Sequence, residues 1–370
     1  MSPLPSHTGP ARRARRLRTL ILLVLASAGL VAGVLVAAAP GPSPALAAPV
    51  IGAGGRTVSG WLPYWTMPAS LADTLAHGDS VSIASPFWYD LDAPGHLTKY
   101  QGAGDASVVS QLQATGADVL PTVVSSIGAA HMVGALKDPA TRAQMEARLV
   151  TLAVAHGYDG LDLDFETMAA TATEVQAQNL AALYVTFVAE LAGHLHADGL
   201  QLSVTVMPRT DASTWHTGMS AVVYDYAGLG AAADALRIMV YNRHMPGTRP
   251  GGVAPLPWTR AVLDYAVALV ARDRVELGAP TYGFDWVATT TTAHSVRFRQ
   301  ARGLQRRYDA TAVWHDVSGE PSFRYKAHGV RHVVWYSDAR SIRIRAALAA
   351  DYGLQAITLW YLGGEAPASW

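Results

Sequence analysis

The sequence predicts an α/β fold, a (β/α)8 TIM barrel with a small subdomain inserted between strand seven and helix seven. Two observations carry this prediction. Eight short apolar runs recur after residue 56, and most gaps between them hold helical patterns. Strands alternating with helices close into a parallel barrel, and a barrel of about 250 residues or more accounts for most of a 370-residue chain.

The runs are "TVSGWLPYW" (57–65), "VSIASPFWY" (81–89), "DVLPTVVSS" (118–126), "GLDLDFE" (160–166), "LQLSVTVMP" (200–208), "ALRIMVYNR" (235–243), "VELGAPTYG" (275–283) and "AITLWYLGG" (356–364). Between the third and fourth, Asp138 is placed to cap a helix with Pro139 in its first turn. Met145, Leu149 and Leu152 form its apolar stripe, and Gly157 ends it. In the next gap Leu180, Leu183, Phe187, Leu191 and Leu195 recur at three- and four-residue steps up to Gly199. The gap from Phe284 to Asp338 is too long for one crossover helix, so about 294–336 reads as the insertion.

Charge is scarce and uneven. Charged residues make up 15% of the chain, with 28 basic and 28 acidic. Residues 1–48 hold five Arg and no acid, which leaves the body mildly acidic and argues against a nucleic-acid partner. The chain has no Cys, which excludes a disulfide framework and a thiolate metal site. "RRARRLR" precedes the apolar run from Thr19 to Ala39, and Ala45-Leu46-Ala47 fits a small-residue cleavage site. The run is long enough to span a bilayer and rich in Ala and Gly. Residues 1–48 therefore read as a cleaved signal peptide or a retained anchor, with possible membrane anchoring by 19–39. Both place the body at the cell surface or outside the cell. Residues 49–56 read as a linker and 57–370 as the barrel.

"DGLDLDFE" puts Asp159, Asp162, Asp164 and Glu166 into eight residues, interleaved with Leu161, Leu163 and Phe165. Strand side chains alternate faces, so Asp162, Asp164 and Glu166 share one. A barrel's outward face packs under helices and must be apolar, so the acids point inward toward the carboxyl end, where such barrels hold their active sites. Three partly desolvated carboxylates repel, and at least one is expected to hold a proton near neutral pH. A proton donor beside ionised acids is what general-acid cleavage of a glycosidic bond requires. The competing reading is a calcium loop. The acid spacing does not fit the helix-loop-helix pattern, and no Gly follows the third acid. No metal and no cofactor are called for.

The segment Asp159-Gly160-Leu161-Asp162-Leu163-Asp164-Phe165-Glu166 resembles the strand-four signature of the family-18 glycoside hydrolases, Asp-Gly-x-Asp-x-Asp-x-Glu. Met239-Val240-Tyr241-Asn242 resembles their strand-six Met-x-Tyr-Asp, and Gly278-Ala279-Pro280-Thr281-Tyr282-Gly283 their strand-seven Gly-x-Pro-x-Tyr-Gly. Trp360 stands where the strand-eight Trp lies. Ser126-Ile127-Gly128-Ala129 is a weaker match to a strand-three Ser-x-Gly-Gly. Residues 333–365, from "VVWYSDARS" to "LWYLGGE", look closest to bacterial members acting on peptidoglycan, including spore-cortex enzymes. The resemblance covers about residues 57–366.

The resemblance implies a retaining, substrate-assisted glycosidase of chitinase or N-acetylglucosaminidase type. In the family the substrate's own 2-acetamido carbonyl is the nucleophile. Glu166 would be the acid and later the base, and Asp164 would orient the acetamido nitrogen. Asp162 would support Asp164, and Tyr241 would bond the acetamido oxygen. Trp360 would floor the sugar site, with Asn242, Met239, Met207, Tyr64, Phe87 and Tyr282 as further substrate contacts. Asp159 reads as structural. Asn242 stands where the family has Asp, and Ala129 where it has Gly. Trp61, Tyr64, Trp65, Phe87, Trp88, Tyr89 and Trp286 lie near predicted strand ends, where aromatic faces stack on sugars as readily as they fill cores. The expected substrate is a β-1,4-linked N-acetylglucosamine polymer, with peptidoglycan and chitin both open, and the expected state is a monomer. A sugar-binding barrel without catalysis is the alternative, favoured only by Asn242. An inhibitor-like scaffold with no sugar ligand is a third.

Overall fold

The computed structural model describes residues 51–52, 57–212, 215–216 and 219–370. The Arg-rich start, the apolar run, the cleavage site and most of the linker lie outside the described residues.

Eight parallel strands close into a barrel: β1 (Val58–Pro63), β2 (Val81–Ala93), β3 (Thr122–Ser125), β4 (Gly160–Asp164), β5 (Gln201–Val206), β6 (Ala235–Ile238), β7 (Val275–Pro280) and β8 (Ala356–Trp360). Closure is direct, because β1 pairs with both β2 and β8. Each of the eight predicted runs contributes its strand. The main crossover helices between them are α1 (Met67–Ala76), α2 (Ala106–Ala114), α3 (Pro139–His156), α4 (Glu174–Ala197), α5 (Tyr226–Ala232), α6 (Leu256–Val267) and α7 (Ala339–Asp351), with a further helix, Ala129–Lys137, before α3 and a short one, Thr167–Thr171, after β4.

Local sequence explains the best-defined ends. The Asp138 carboxylate accepts from the Thr141 backbone N–H at 3.0 Å, and Gly157 closes α3 at φ 63, a left-handed conformation that suits glycine. Thr173 and Gln176 form a reciprocal capping box at the start of α4. The outward face of β4 meets α4 as the alternation requires. Leu161, Leu163 and Phe165 are fully buried, and the Phe165 ring lies 5.9 Å from Tyr184 and 6.3 Å from Phe187. Each such side chain contributes about 1.5–3 kcal/mol through burial.

The insertion is larger than its sequence suggests. It is a five-stranded antiparallel sheet in the order Ala293–Arg297, Tyr282–Val287, Val330–Tyr336, Glu320–Ala327, Val313–His315, with one helix, Phe298–Arg307. It begins at Tyr282, not near residue 294. The apolar run through Pro280 is unbroken, so sequence pattern merges two strands. In the structure Thr281 donates its N–H to Trp360 O as the chain leaves the barrel, and Gly283 already pairs with Tyr336. Val296, Ala301, Phe323, Val334 and Tyr336 form a small second core between the sheet and its helix. The buried Glu320 ties the insertion to the barrel by accepting from the Val253 and Ala254 backbone N–H groups.

Candidate active site

Inside the barrel, the period-two alternation of β4 sends its acids to different depths. Asp162 is 0% exposed and lies in the barrel floor. It accepts hydrogen bonds from Trp61 Nε1 (3.0 Å), Thr122 Oγ1 (2.8 Å), Ser203 Oγ (2.8 Å) and Thr205 Oγ1 (3.0 Å). Arg237 of β6 lies 3.5 Å away and donates Nε to Glu276 of β7 at 3.0 Å. Glu276 also accepts from Ser59 and Thr358. The floor is thus a hydrogen-bonded polar network in place of the branched aliphatic layers usual in such barrels.

One step up the strand, Asp164 is 4% exposed, and its Oδ1 is buried with no hydrogen-bond partner. Burial and the nearby Glu166 and Asp162 carboxylates push its ionisation well above the usual range. Glu166 follows the end of β4 and leads into the short helix Thr167–Thr171. Burial pushes its carboxyl up to about 7. Glu166 is thus poised to hold a proton near neutrality and release it, which suits an acid that must also act as a base.

Asp164 and Glu166 open into a cavity of about 270 Å³ at the carboxyl ends of the strands. Met207, Met239, Tyr241, Asn242, Tyr282, Phe87 and Trp360 line it with them. Tyr241 is kept protonated by burial, by Tyr282 and by the carboxylates opposite, so it is a hydrogen-bond donor here. Asn242 adopts φ 62, a region Asn tolerates better than most residues, and its Oδ1 accepts from the Tyr282 hydroxyl at 2.5 Å. Trp360 stands edge-on to Trp61 at 5.5 Å and to Phe87 at 5.7 Å.

Of the expected substrate contacts, Tyr64 is displaced. Its ring stacks on Tyr100 at 4.7 Å, and the next residue, Trp65, lines the cavity instead. The chain enters a 3-10 turn at Tyr64, so strand alternation no longer decides which side chain faces inward. Trp61, Trp88, Tyr89 and Trp286 are buried. Trp286 bonds Thr248 O beneath the insertion, and Tyr89 bonds Tyr158. Asp159 is structural in its contacts, accepting from the Val119 N–H at 2.8 Å and from Gln113 at 2.9 Å. Pro208 and Met245 also line the cavity. Met245 lies in the loop after β6, where no periodicity points to it.

Residues 104–365 match the sequence profile of glycosyl hydrolases family 18. The chain belongs to that family. Among solved structures, a chitinase from Chromobacterium violaceum superposes with a TM-score of 0.75 at 29% identity, over 85% of this chain and 96% of the other. A cortical fragment-lytic enzyme of Bacillus subtilis is 28% identical over 64% of this chain and 53% of its own length. A di-N-acetylchitobiase of Rattus norvegicus is 26% identical over 61% and 67%. The chain spans between 53% and 62% of the length of the first Bacillus subtilis relatives it matches. In this family-18 barrel, Asp164 and Glu166 of strand four, the strand-six Tyr241 and the strand-eight Trp360 meet at one cavity, although up to 196 positions separate them along the chain.

Proposed function

We propose that this chain is a glycosidase that cleaves β-1,4-linked, N-acetylglucosamine-containing polysaccharide, peptidoglycan or chitin, with retention and substrate assistance. The observation that carries the reading is the pairing, in one aromatic-walled cavity, of a Glu166 carboxyl raised to about 7 with an unpartnered, buried Asp164 oxygen. Glu166 gives its proton to the glycosidic oxygen as the C1–O bond breaks. The 2-acetamido oxygen closes onto C1, forming an oxazolinium ion, while Asp164 takes the hydrogen bond of the acetamido N–H and Tyr241 donates to the acetamido oxygen. Glu166 then takes a proton from water, whose oxygen opens the ring at C1 with net retention. Among the described residues lining the cavity, Asp164 and Glu166 are the acids. With Glu166 used as the acid, and Asp164 held back by burial from ionising, the substrate's own carbonyl is the better nucleophile.

Product analysis of the purified protein on peptidoglycan and on chitin oligosaccharides tests the reading. A thiazoline mimic of the oxazolinium ion should inhibit, and substrates lacking the 2-acetamido group should not turn over. A trapped sugar–carboxylate ester in the mass spectrum would overturn substrate assistance. We further propose export, on the strength of the Arg-rich start, the apolar run and Ala45-Leu46-Ala47. In a bacterial host the chain should begin at Ala48 or sediment full-length with membranes. A soluble, full-length cytoplasmic product would contradict both.

A further inference from the structure

Charge is divided between the barrel and its insertion. Residues 282–336 hold eight Arg or Lys against four Asp or Glu, whereas residues 49–281 and 337–370 together hold 15 against 24. A protein whose body is acidic concentrates its cations on one element. Part of that excess faces the catalytic side. In the insertion sheet, Arg324, Arg331, Val333, Trp335 and Trp286 project to one face, because Arg324 pairs with Val333, and Val333 with Trp286. That face meets the loop after β6, where the Trp286 indole bonds Thr248 O. The opposite face carries Phe323 and Val334 against the insertion helix.

Between the sheet and the loop runs an open groove of about 570 Å³, with Arg249 on the loop side, Arg324 on the sheet side, and Val333 and Trp335 at its base. It continues along the sheet past Lys326 and Arg331. All four cations are exposed, and none forms an ion pair among the described residues. The neighbouring acid, Asp285, points to the other face and is taken up by Tyr325 and His332. Unpaired guanidinium groups flanking an apolar base suit carboxylates carried on a partly aliphatic branch, since the Arg fork matches a carboxylate in two hydrogen bonds. A polyphosphate would need the charge and not the Trp and Val beneath it.

The groove is also continuous with the cleft in sequence. Met245 lines the catalytic cavity, and Arg249, four residues later in the same loop, lines the groove. Four residues span at most about 14 Å. A glycan in the cleft that carried a short peptide branch would bring the carboxylates of that branch within reach of Arg249 and Arg324.

We infer that this groove binds the carboxylate-bearing peptide branches of a glycan whose backbone occupies the cleft, so that the chain favours peptide-substituted glycan over the bare polymer. The inference rests on the glycosidase reading for the backbone but is tested by binding, not turnover. The Arg249→Ala/Arg324→Ala double variant is made in a Glu166→Gln background, which leaves bound strands intact. Both positions are exposed, and an unchanged melting curve checks the fold. Calorimetry then compares soluble peptidoglycan strands with their peptides, the same strands after amidase removal of the peptides, and chitin oligosaccharides. The parent should bind peptide-bearing strands more tightly than stripped ones. The double variant should lose about three- to tenfold on the former only, the scale of two exposed charge pairs. Raising salt from about 0.05 to about 0.5 M should erase the same increment.

Equal loss on stripped strands, no loss at all, or no binding of peptide-bearing strands overturns the inference. So does stronger competition by poly(glycerol phosphate) than by the free peptide, which would assign the groove to a phosphate polymer. Hydrolysis of chitin oligosaccharides by the wild-type chain is read separately, so failure of the catalytic proposal shows there and not in the binding comparison.

Discussion

Asp162 and Asp164 stand two residues apart on one strand, both inside the barrel, and their surroundings are opposite. Asp162 accepts four side-chain hydrogen bonds and lies beside Arg237, whereas Asp164 keeps a buried oxygen with none and faces Glu166. The floor of the barrel gives its carboxylates a counter-charge and donors, although Arg237 keeps one buried Nη2 without a partner. The mouth withholds them. Buried charges that are satisfied hold a structure in one arrangement, and those left unsatisfied store the means to move a proton. One strand therefore does structural work at one end and presents reactive groups at the other. The distinction comes from the neighbouring strands, which supply Thr122, Ser203 and Thr205 only at the lower level, and from β6 beyond them, which supplies Arg237.

The contrast is broken most severely at the floor. Arg237 is fully buried between Asp162 and Glu276, so Arg237→Met leaves two carboxylates without their cation. Removing one partner of a buried ion pair costs about 3–5 kcal/mol, and stability by denaturant titration should fall by that much. A loss under 1 kcal/mol would show that the hydroxyl and indole donors alone satisfy the floor.

At the mouth the sign of the trade reverses. Glu166→Gln should lower kcat by about 10² or more, roughly 2.7 kcal/mol in the barrier, with no loss of stability. Unchanged turnover would remove Glu166 from the mechanism. A loss of stability equal to that of Arg237→Met would erase the distinction between the two levels.

How much of this was legible in the sequence differs between the same two levels. The alternation in "GLDLDFE" places the acids inward, because only an apolar face can pack under α4. The expectation that one acid holds a proton agrees with the upward shifts at Asp164 and Glu166. The strand-six, strand-seven and strand-eight contacts came from resemblance, not from pattern. The floor was illegible. Arg237 in "ALRIMV" and Glu276 in "VELGAP" are single charges in apolar runs 39 residues apart, and no local signal pairs them. Trp65 stands among the strand-end aromatics of the sequence, but the alternation favours Tyr64 as the contact, because nothing local shows that a 3-10 turn ends the period of two at Tyr64.

A subtler separation lies in the pH dependence of stability. Glu166 has an ordinary value of 4.5 and is held at about 7 in the fold. Between those values the folded chain keeps a proton that the unfolded chain releases. This contribution to stability is complete below 4.5 and is lost as pH rises through about 7. Melting temperature should therefore fall across that window, and Glu166→Gln should make the slope shallower by a few degrees. Other raised carboxyls, Asp164 and Glu365 among them, keep the slope from vanishing. Parallel melting curves for the two proteins from pH 4 to 8 would mean that Glu166 is not perturbed.

The smallest expected effect concerns Asn242, where the family pattern has Asp. The side chain lines the same cavity as Glu166, and its Oδ1 is already occupied by the Tyr282 hydroxyl. A carboxylate at this position adds negative charge to a site that already holds Asp164 and Glu166. Like charge favours the protonated acid, so Glu166 should titrate higher in Asn242→Asp. The acid must be protonated to donate, so the basic limb of kcat/KM, expected near pH 7 in the wild-type chain, should move up. The shift should be at most about one pH unit, or about 1.4 kcal/mol, because the Tyr282 hydroxyl bond takes up part of the new charge. If Asn242 instead serves mainly to contact sugar hydroxyls, KM changes and the limb stays where it is. Profiles of kcat/KM from pH 4 to 9 for both proteins separate the two, and an unmoved or lowered limb rules out the electrostatic role.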